Sequence, residues 1–155
     1  MNLADIITPE NVVCSARANN KEQLLHDLAS HAAASLALDP KTIFDALQAR
    51  EQLGSTGLGK GFALPHACIE GLDRFFGIFM RLKRPIDFEA IDNLPVDLVF
   101  LLLIPAATGD GRLAPLATIS RKLRDQEFVA NLRKAPDATV LCKLLLKPQH
   151  TLRAV

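Results

Sequence analysis

The chain has 155 residues, 49% of them hydrophobic, which is the size and composition of one domain with one core and excludes a disordered chain. With 18 Lys and Arg against 17 Asp and Glu the formal charge is +1, so no global field exists to hold nucleic acid or an anionic membrane. Aromatic residues make up 5%, with no Trp and no Tyr, which removes the usual base-stacking platforms.

Asn20-Lys21-Glu22-Gln23 has the form of a capping-box variant and opens an apolar stripe at Leu24, Leu25, Leu28, Ala32 and Leu36, which predicts a first helix. Asp39-Pro40 supplies a cap and a favoured first helical residue for a second helix. It runs to about Arg50 and carries Ile43, Phe44 and Leu47 inward. The four glycines between Gly54 and Gly61 read as a loop. Phe62-Ala63-Leu64 reads as a short strand ended by Pro65, which leaves His66 at a strand's end. A Phe-rich strand spans Arg74 to Leu82 and stops before Pro85. Asp92-Asn93-Leu94-Pro95 makes a turn, and Val96 to Ile104 becomes continuously apolar, as in a strand buried on both faces. Thr108-Gly109-Asp110-Gly111 is a loop. After it come a helix with Pro115 in its first turn, a short one capped by Asp125, a last one started by Pro136, and a frayed tail from Pro148. The order predicts a three-layer α/β (α+β-like) single domain over residues 1–155, a central mixed β-sheet flanked by helices.

The cysteines Cys14, Cys68 and Cys142 are odd in number and scattered, with no CxxC pair, so neither a disulfide framework nor a metal site is expected. The opening Met1-Asn2-Leu3-Ala4-Asp5 lacks a basic start and an apolar stretch, and the longest apolar run, Leu98 to Pro105, is too short to cross a bilayer. A cytoplasmic protein without membrane insertion, nucleic acid, metal or cofactor is the expectation.

The chemistry concentrates in Arg50-Glu51-Gln52-Leu53-Gly54-Ser55-Thr56-Gly57-Leu58-Gly59-Lys60-Gly61-Phe62-Ala63-Leu64-Pro65-His66. A glycine-rich loop lets backbone N–H groups approach an anion, and Ser55, Thr56, Arg50 and Lys60 add donors, so phosphate is the natural ligand class. Gly59-Lys60-Gly61 precedes a strand, which excludes a Walker A loop, and Gly57-x-Gly59-x-Gly61 does not open a helix, which excludes a dinucleotide fingerprint. An imidazole beside an anion cradle can attack a phosphoryl group through its unprotonated nitrogen, provided a carbonyl or hydroxyl accepts the proton on the other. A histidine after proline also suits an ordinary turn, and Arg50 also suits the negative end of a helix dipole. On the residues alone, ordinary structural or surface roles are expected for His26, His31, Lys60 and the basic stretch Arg112, Arg121, Lys122, Arg124, Arg133 and Lys134.

This segment, with Pro85-Ile86-Asp87-Phe88, the Pro95 to Pro105 block and Leu113-x-x-Leu116-Ala117-x-Ile119-Ser120-Arg121, resembles the type 2 enzyme IIA domains of the bacterial phosphotransferase system, and within them the nitrogen-regulatory branch. The resemblance covers nearly the whole chain. It implies that His66 is phosphorylated on Nε2 by an HPr-like phosphocarrier, with Arg50 beside the phosphate. Many family members carry a second histidine where this chain has Arg112, so Arg112 is expected to reach the His66 pocket and clamp the phosphoryl group. Regulation through the phosphorylation state is the leading expectation. The alternatives are a sugar-specific component that passes phosphoryl to a IIB domain, and an interaction module that is never phosphorylated.

Overall fold

The computed structural model describes residues 2–147, apart from the side chains of residues 109, 110, 112 and 113. The frayed tail expected from Pro148 and the expected clamp by Arg112 therefore lie outside the described residues. In chain order the elements are β1 (Val12–Ala16), α1 (Lys21–Leu36), α2 (Pro40–Gln52), β2 (Gly57–Gly59), β3 (Phe62–Ala63), β4 (His66–Ile69), β5 (Phe76–Ile86), β6 (Val96–Pro105), α3 (Leu113–Leu123), α4 (Gln126–Lys134) and α5 (Ala138–Leu146).

The helices begin where side chains can satisfy their first free N–H groups. Asn20 accepts from the Gln23 amide at 2.8 Å, Asp39 from Lys41, Asp125 from Glu127 and Phe128, and Asp137 from Val140. The last helix therefore starts at Ala138, two residues beyond the expected Pro136. The expected capping box is half realised, because Gln23 turns back to the Asn19 amide, one residue before the cap.

Strand β6 is the spine of a mixed sheet ordered β1-β5-β6-β3-β2, antiparallel to β5 and parallel to β3. Its alternation splits the interior in two. Val99, Leu101 and Leu103 pack with α1 and α2, whereas Leu98, Phe100, Leu102 and Ile104 pack with α3, α4 and α5. All seven are at most 1% exposed, so the three-layer architecture follows from one strand that is apolar on both faces.

Three strands escape the pattern reading. In β1, Val13 pairs with Met80 but Ala16 pairs with Leu82, one extra residue, and Ser15 takes φ 60; that bulge destroys the alternation by which a strand is recognised. The glycine segment expected to be a loop contains β2, which forms a hairpin with β3. A Cβ on Gly57 would lie 2.8 Å from Ala90 Cα, so this glycine serves backbone packing. Residues 66–69 form β4 in place of the expected strand end. Strand β5 also runs through Pro85 to Ile86, because its pairing with β6 is irregular between Arg81 and Ile86 and no regular ladder N–H is lost there. The Thr108–Gly111 loop lies within a 3-10 helix, Ala106–Arg112.

Candidate functional site

β3 and β4 pair with β6 in one unbroken register: Phe62 opposite Leu98, Ala63 opposite Val99, His66 opposite Leu102 and Ala67 opposite Leu103. They are a single strand interrupted at Leu64-Pro65. The Pro65 carbonyl still accepts from the Leu102 amide at 3.0 Å. Leu64 faces the opposite edge, where its N–H donates to the Thr56 carbonyl at 2.9 Å and its own carbonyl accepts from His66 Nδ1 at 2.9 Å. A carbonyl only accepts, so Nδ1 carries the ring proton and Nε2 keeps its lone pair.

The half-buried ring opens on a cleft of about 370 Å³ lined by Ala49, Arg50 and Leu53 from the end of α2, by Ile104, and by Leu116 of α3. Burial holds the His66 pKa below the ordinary 6.5, the Leu64 carbonyl partly opposes this, Arg50 adds to the lowering, and Glu51 works against it. The neutral, nucleophilic ring is therefore the dominant form at neutral pH. A ring-nitrogen NMR titration is expected to show a His66 midpoint below 6.5, and a midpoint above it would contradict this environment. Because the folded-state value is depressed, the contribution of His66 to stability is complete above 6.5 and is lost as the pH falls through the lower folded value.

Arg50 lies in the last turn of α2 and donates through Nη1 to the Gly54 carbonyl at 2.9 Å, while its side chain lines the His66 cleft. The helix-end and phosphate-side readings of this arginine are therefore compatible. Ser55 and Thr56 are placed differently. The Ser55 hydroxyl donates to the Phe88 carbonyl at 3.1 Å and accepts from the Gly57 amide at 3.0 Å. Thr56 is 2% exposed, its hydroxyl donates to Glu51 Oε2, and its amide donates to Glu51 Oε1 at 3.0 Å. Both hydroxyl protons are engaged by the protein, so these residues brace the turn into β2, and neither lines the His66 cleft. Glu51 is the participant that sequence reasoning missed; the signal lay in a carboxylate five residues before a threonine across a glycine turn.

The remaining candidates take structural positions. His26 stacks on Phe44 at 3.7 Å between ring centroids, and His31 Nε2 meets Asn11 Oδ1 at 3.0 Å. Arg133 makes a two-pronged pair with Asp97 at 2.8 and 2.9 Å, and Lys122 lies 4.9 Å over the Phe128 ring. Lys60 is exposed. Among the described residues no cluster of three His, Cys, Asp or Glu side chains could hold a metal ion, and no helix is long and apolar enough to cross a membrane.

Residues 5–147 match the family described as phosphoenolpyruvate-dependent sugar phosphotransferase system, EIIA 2. The chain belongs to this family. It is 42% identical over 151 residues to a nitrogen regulatory protein of Bradyrhizobium diazoefficiens, a match that covers 97% of this chain and 99% of the relative. It is 34% identical over 152 residues to the nitrogen regulatory protein of Escherichia coli, covering 97% and 93%. Its fold superposes on the crystal structure of nitrogen regulatory protein IIA-Ntr from Neisseria meningitidis with a TM-score of 0.87 at 29% identity, covering 92% of this chain and 98% of that one. Family membership carries a phosphoryl-carrier role in the phosphotransferase system, and the mixed sheet with five helices is the family's architecture.

Proposed function

We propose that the chain accepts a phosphoryl group on His66 Nε2 from a phosphohistidine of an HPr-like carrier and acts as a regulator, in the cytoplasm, through its phosphorylation state. The observation that carries this reading is the Nδ1–H bond to the Leu64 carbonyl, which leaves Nε2 as the nucleophile.

In the transfer, the Nε2 lone pair attacks phosphorus in line with the donor's N–P bond. That bond breaks, and its electron pair returns to the donor nitrogen, leaving a neutral imidazole on the carrier. The His66 ring becomes a phosphoimidazolium, and the Leu64 carbonyl stabilises it by accepting from Nδ1–H. The moving group carries its charge on equatorial oxygens, which the Arg50 guanidinium offsets. Ser55 and Thr56 support the reaction as the frame of the adjoining turn. A charge-assisted hydrogen bond is worth about 1.5–3 kcal/mol, so Arg50→Ala is expected to slow labelling on the order of ten- to a hundredfold with little change in melting temperature. An undiminished rate would remove Arg50 from this role.

The decisive experiment incubates the full chain with a phosphorylated HPr-type carrier and follows its intact mass. Gain of one phosphoryl group, located on His66, is the expected result. No gain with a competent donor would leave the pure interaction module as the reading, and efficient passage to a sugar-specific IIB domain would favour the sugar-transport branch. The nitrogen-regulatory reading is supported by relatives of that name that match 97% of the chain.

A further inference from the structure

We propose that Glu51 is a positioning residue for phosphoryl transfer, its carboxylate anchored by Lys21 so as to fix the turn at residues 53–56, whose Gly54 carbonyl holds Arg50 beside the His66 cleft. The inference rests on His66 as the phosphoryl acceptor.

Arg50 and Glu51 are consecutive in the last turn of α2 and so project about 100° apart. Arg50 lines the His66 cleft. Glu51 lines a second, polar cleft with Lys21, Gln48 and Glu89, between the start of α1 and the segment before β6. There its side chain is 6% exposed, and it pairs at 3.0 Å with Lys21, itself 16% exposed. Lys21 in turn lies 4.6 Å over the Phe88 ring and 3.3 Å from Glu89. An ion pair this dry is an inefficient way to gain stability, since removing both charges from water offsets most of their attraction. Its value is geometric.

The geometry runs from Glu51 to the site through three bonded steps. Both carboxylate oxygens hold Thr56, one accepting its amide and the other its hydroxyl. The turn closes back on the helix through the Gly54 amide, which donates to the Glu51 carbonyl at 3.1 Å. The Gly54 carbonyl then accepts Arg50 Nη1 at 2.9 Å. Packing does not hold the first half of this turn: a Cβ added to Gly54, at φ +150, would meet nothing within 4 Å, and Leu53 is 84% exposed, whereas Thr56 at its end is 2% exposed. Ser55, bonded to the Phe88 carbonyl and the Gly57 amide, ties the turn to the sheet side, and the bonds to Glu51 tie it back to α2 and so set the Gly54 carbonyl that steadies the arginine. Glu51 also lies within electrostatic reach of His66, where its charge opposes that of Arg50.

The test uses phosphoramidate as a small phosphoryl donor, so that carrier docking does not enter, and compares initial labelling of the full chain as wild type, Glu51→Gln, Arg50→Ala and the double variant. Glu51→Gln is expected to melt at a lower temperature, because Lys21 keeps only Glu89 as a partner, and, measured where it is fully folded, to label about tenfold more slowly and to cost less than twofold when Arg50 is already absent. Its His66 ring midpoint, read by NMR, is expected to fall below the wild-type value. An undiminished rate, or the same fold loss with and without Arg50, would overturn the proposal. Should Glu51→Gln fail to fold, Thr56→Val removes the hydroxyl link at nearly constant volume and is expected to show a several-fold loss that disappears in the Arg50→Ala background, with the same overturning results. A wild-type chain that takes no label refutes the acceptor reading instead, so the two failures are distinct.

Discussion

His66→Ala is expected to take up no phosphoryl group from a phosphorylated HPr-type carrier under conditions that label the wild-type chain fully. Among the described residues the substitution removes the one imidazole on the cleft, and the other described histidines cannot replace it. His26 is stacked flat on Phe44 within α1 and α2, and His31 is bonded to Asn11. The effect is therefore abolition, whereas loss of a stabilising group such as Arg50 leaves a slower reaction. His66 is half-buried and makes no ion pair among the described residues, so the variant is expected to retain a cooperative melting transition, which makes loss of labelling a chemical result. Equal labelling of the variant, or label mapped to another side chain, would refute the assignment.

Arg81→Met is expected to cost about 3 kcal/mol of stability, read as a loss of roughly 10 °C in Tm, without altering the labelling rate of the fraction that stays folded. Arg81 stands on β5, half-buried, and no acidic partner approaches it among the described residues. Its guanidinium is neutralised by dipoles instead: Nη1 donates to the Leu132 carbonyl at 2.8 Å and the Ala135 carbonyl at 2.7 Å at the end of α4, and Nη2 meets Cys14 Sγ at 2.9 Å. One side chain thus joins the sheet, the edge strand β1 and the negative end of a helix. Methionine keeps the bulk of the stem and leaves the carbonyls without their donor. A change below about 1 kcal/mol, on the order of an exposed surface substitution, would show that water replaces the guanidinium at no cost.

What could be read in the sequence differs by element for physical reasons. Helices α1 and α2 were legible because their caps and apolar stripes are local, and β6 because a strand buried on both faces has to be apolar throughout. Strand β1 was not, since the bulge at Ser15 breaks its alternation, and β4 was not, since Pro65 reads as a terminator. The pairing of β6 with both sides of that proline, a long-range fact, keeps the strand going. At the site, the proline, the glycines and the family likeness single out His66 and Arg50, and the structure brings the two to one cleft. The glycines themselves were misread. Gly57 is required because Ala90 approaches too closely for a side chain, and the hydroxyls of Ser55 and Thr56, expected to face an anion, are turned inward by Phe88 and Glu51. The Phe88 partner lies 33 residues along the chain, where spacing carries no information, whereas Glu51 stands only five residues before Thr56.

The unbroken register of β3 and β4 along β6 bears on how a regulatory state could be displayed. His66 is fixed to the central strand by its own backbone and by the carbonyl two residues before it, so a phosphoryl group on Nε2 finds no hinge to pull. The two states of the protein would then share one shape and differ in what is painted on it: about two negative charges added beside an exposed leucine, on a molecule whose formal charge is +1. A partner reading that state would sense the field over a rigid face and could discriminate as fast as it diffuses, because no rearrangement has to precede recognition.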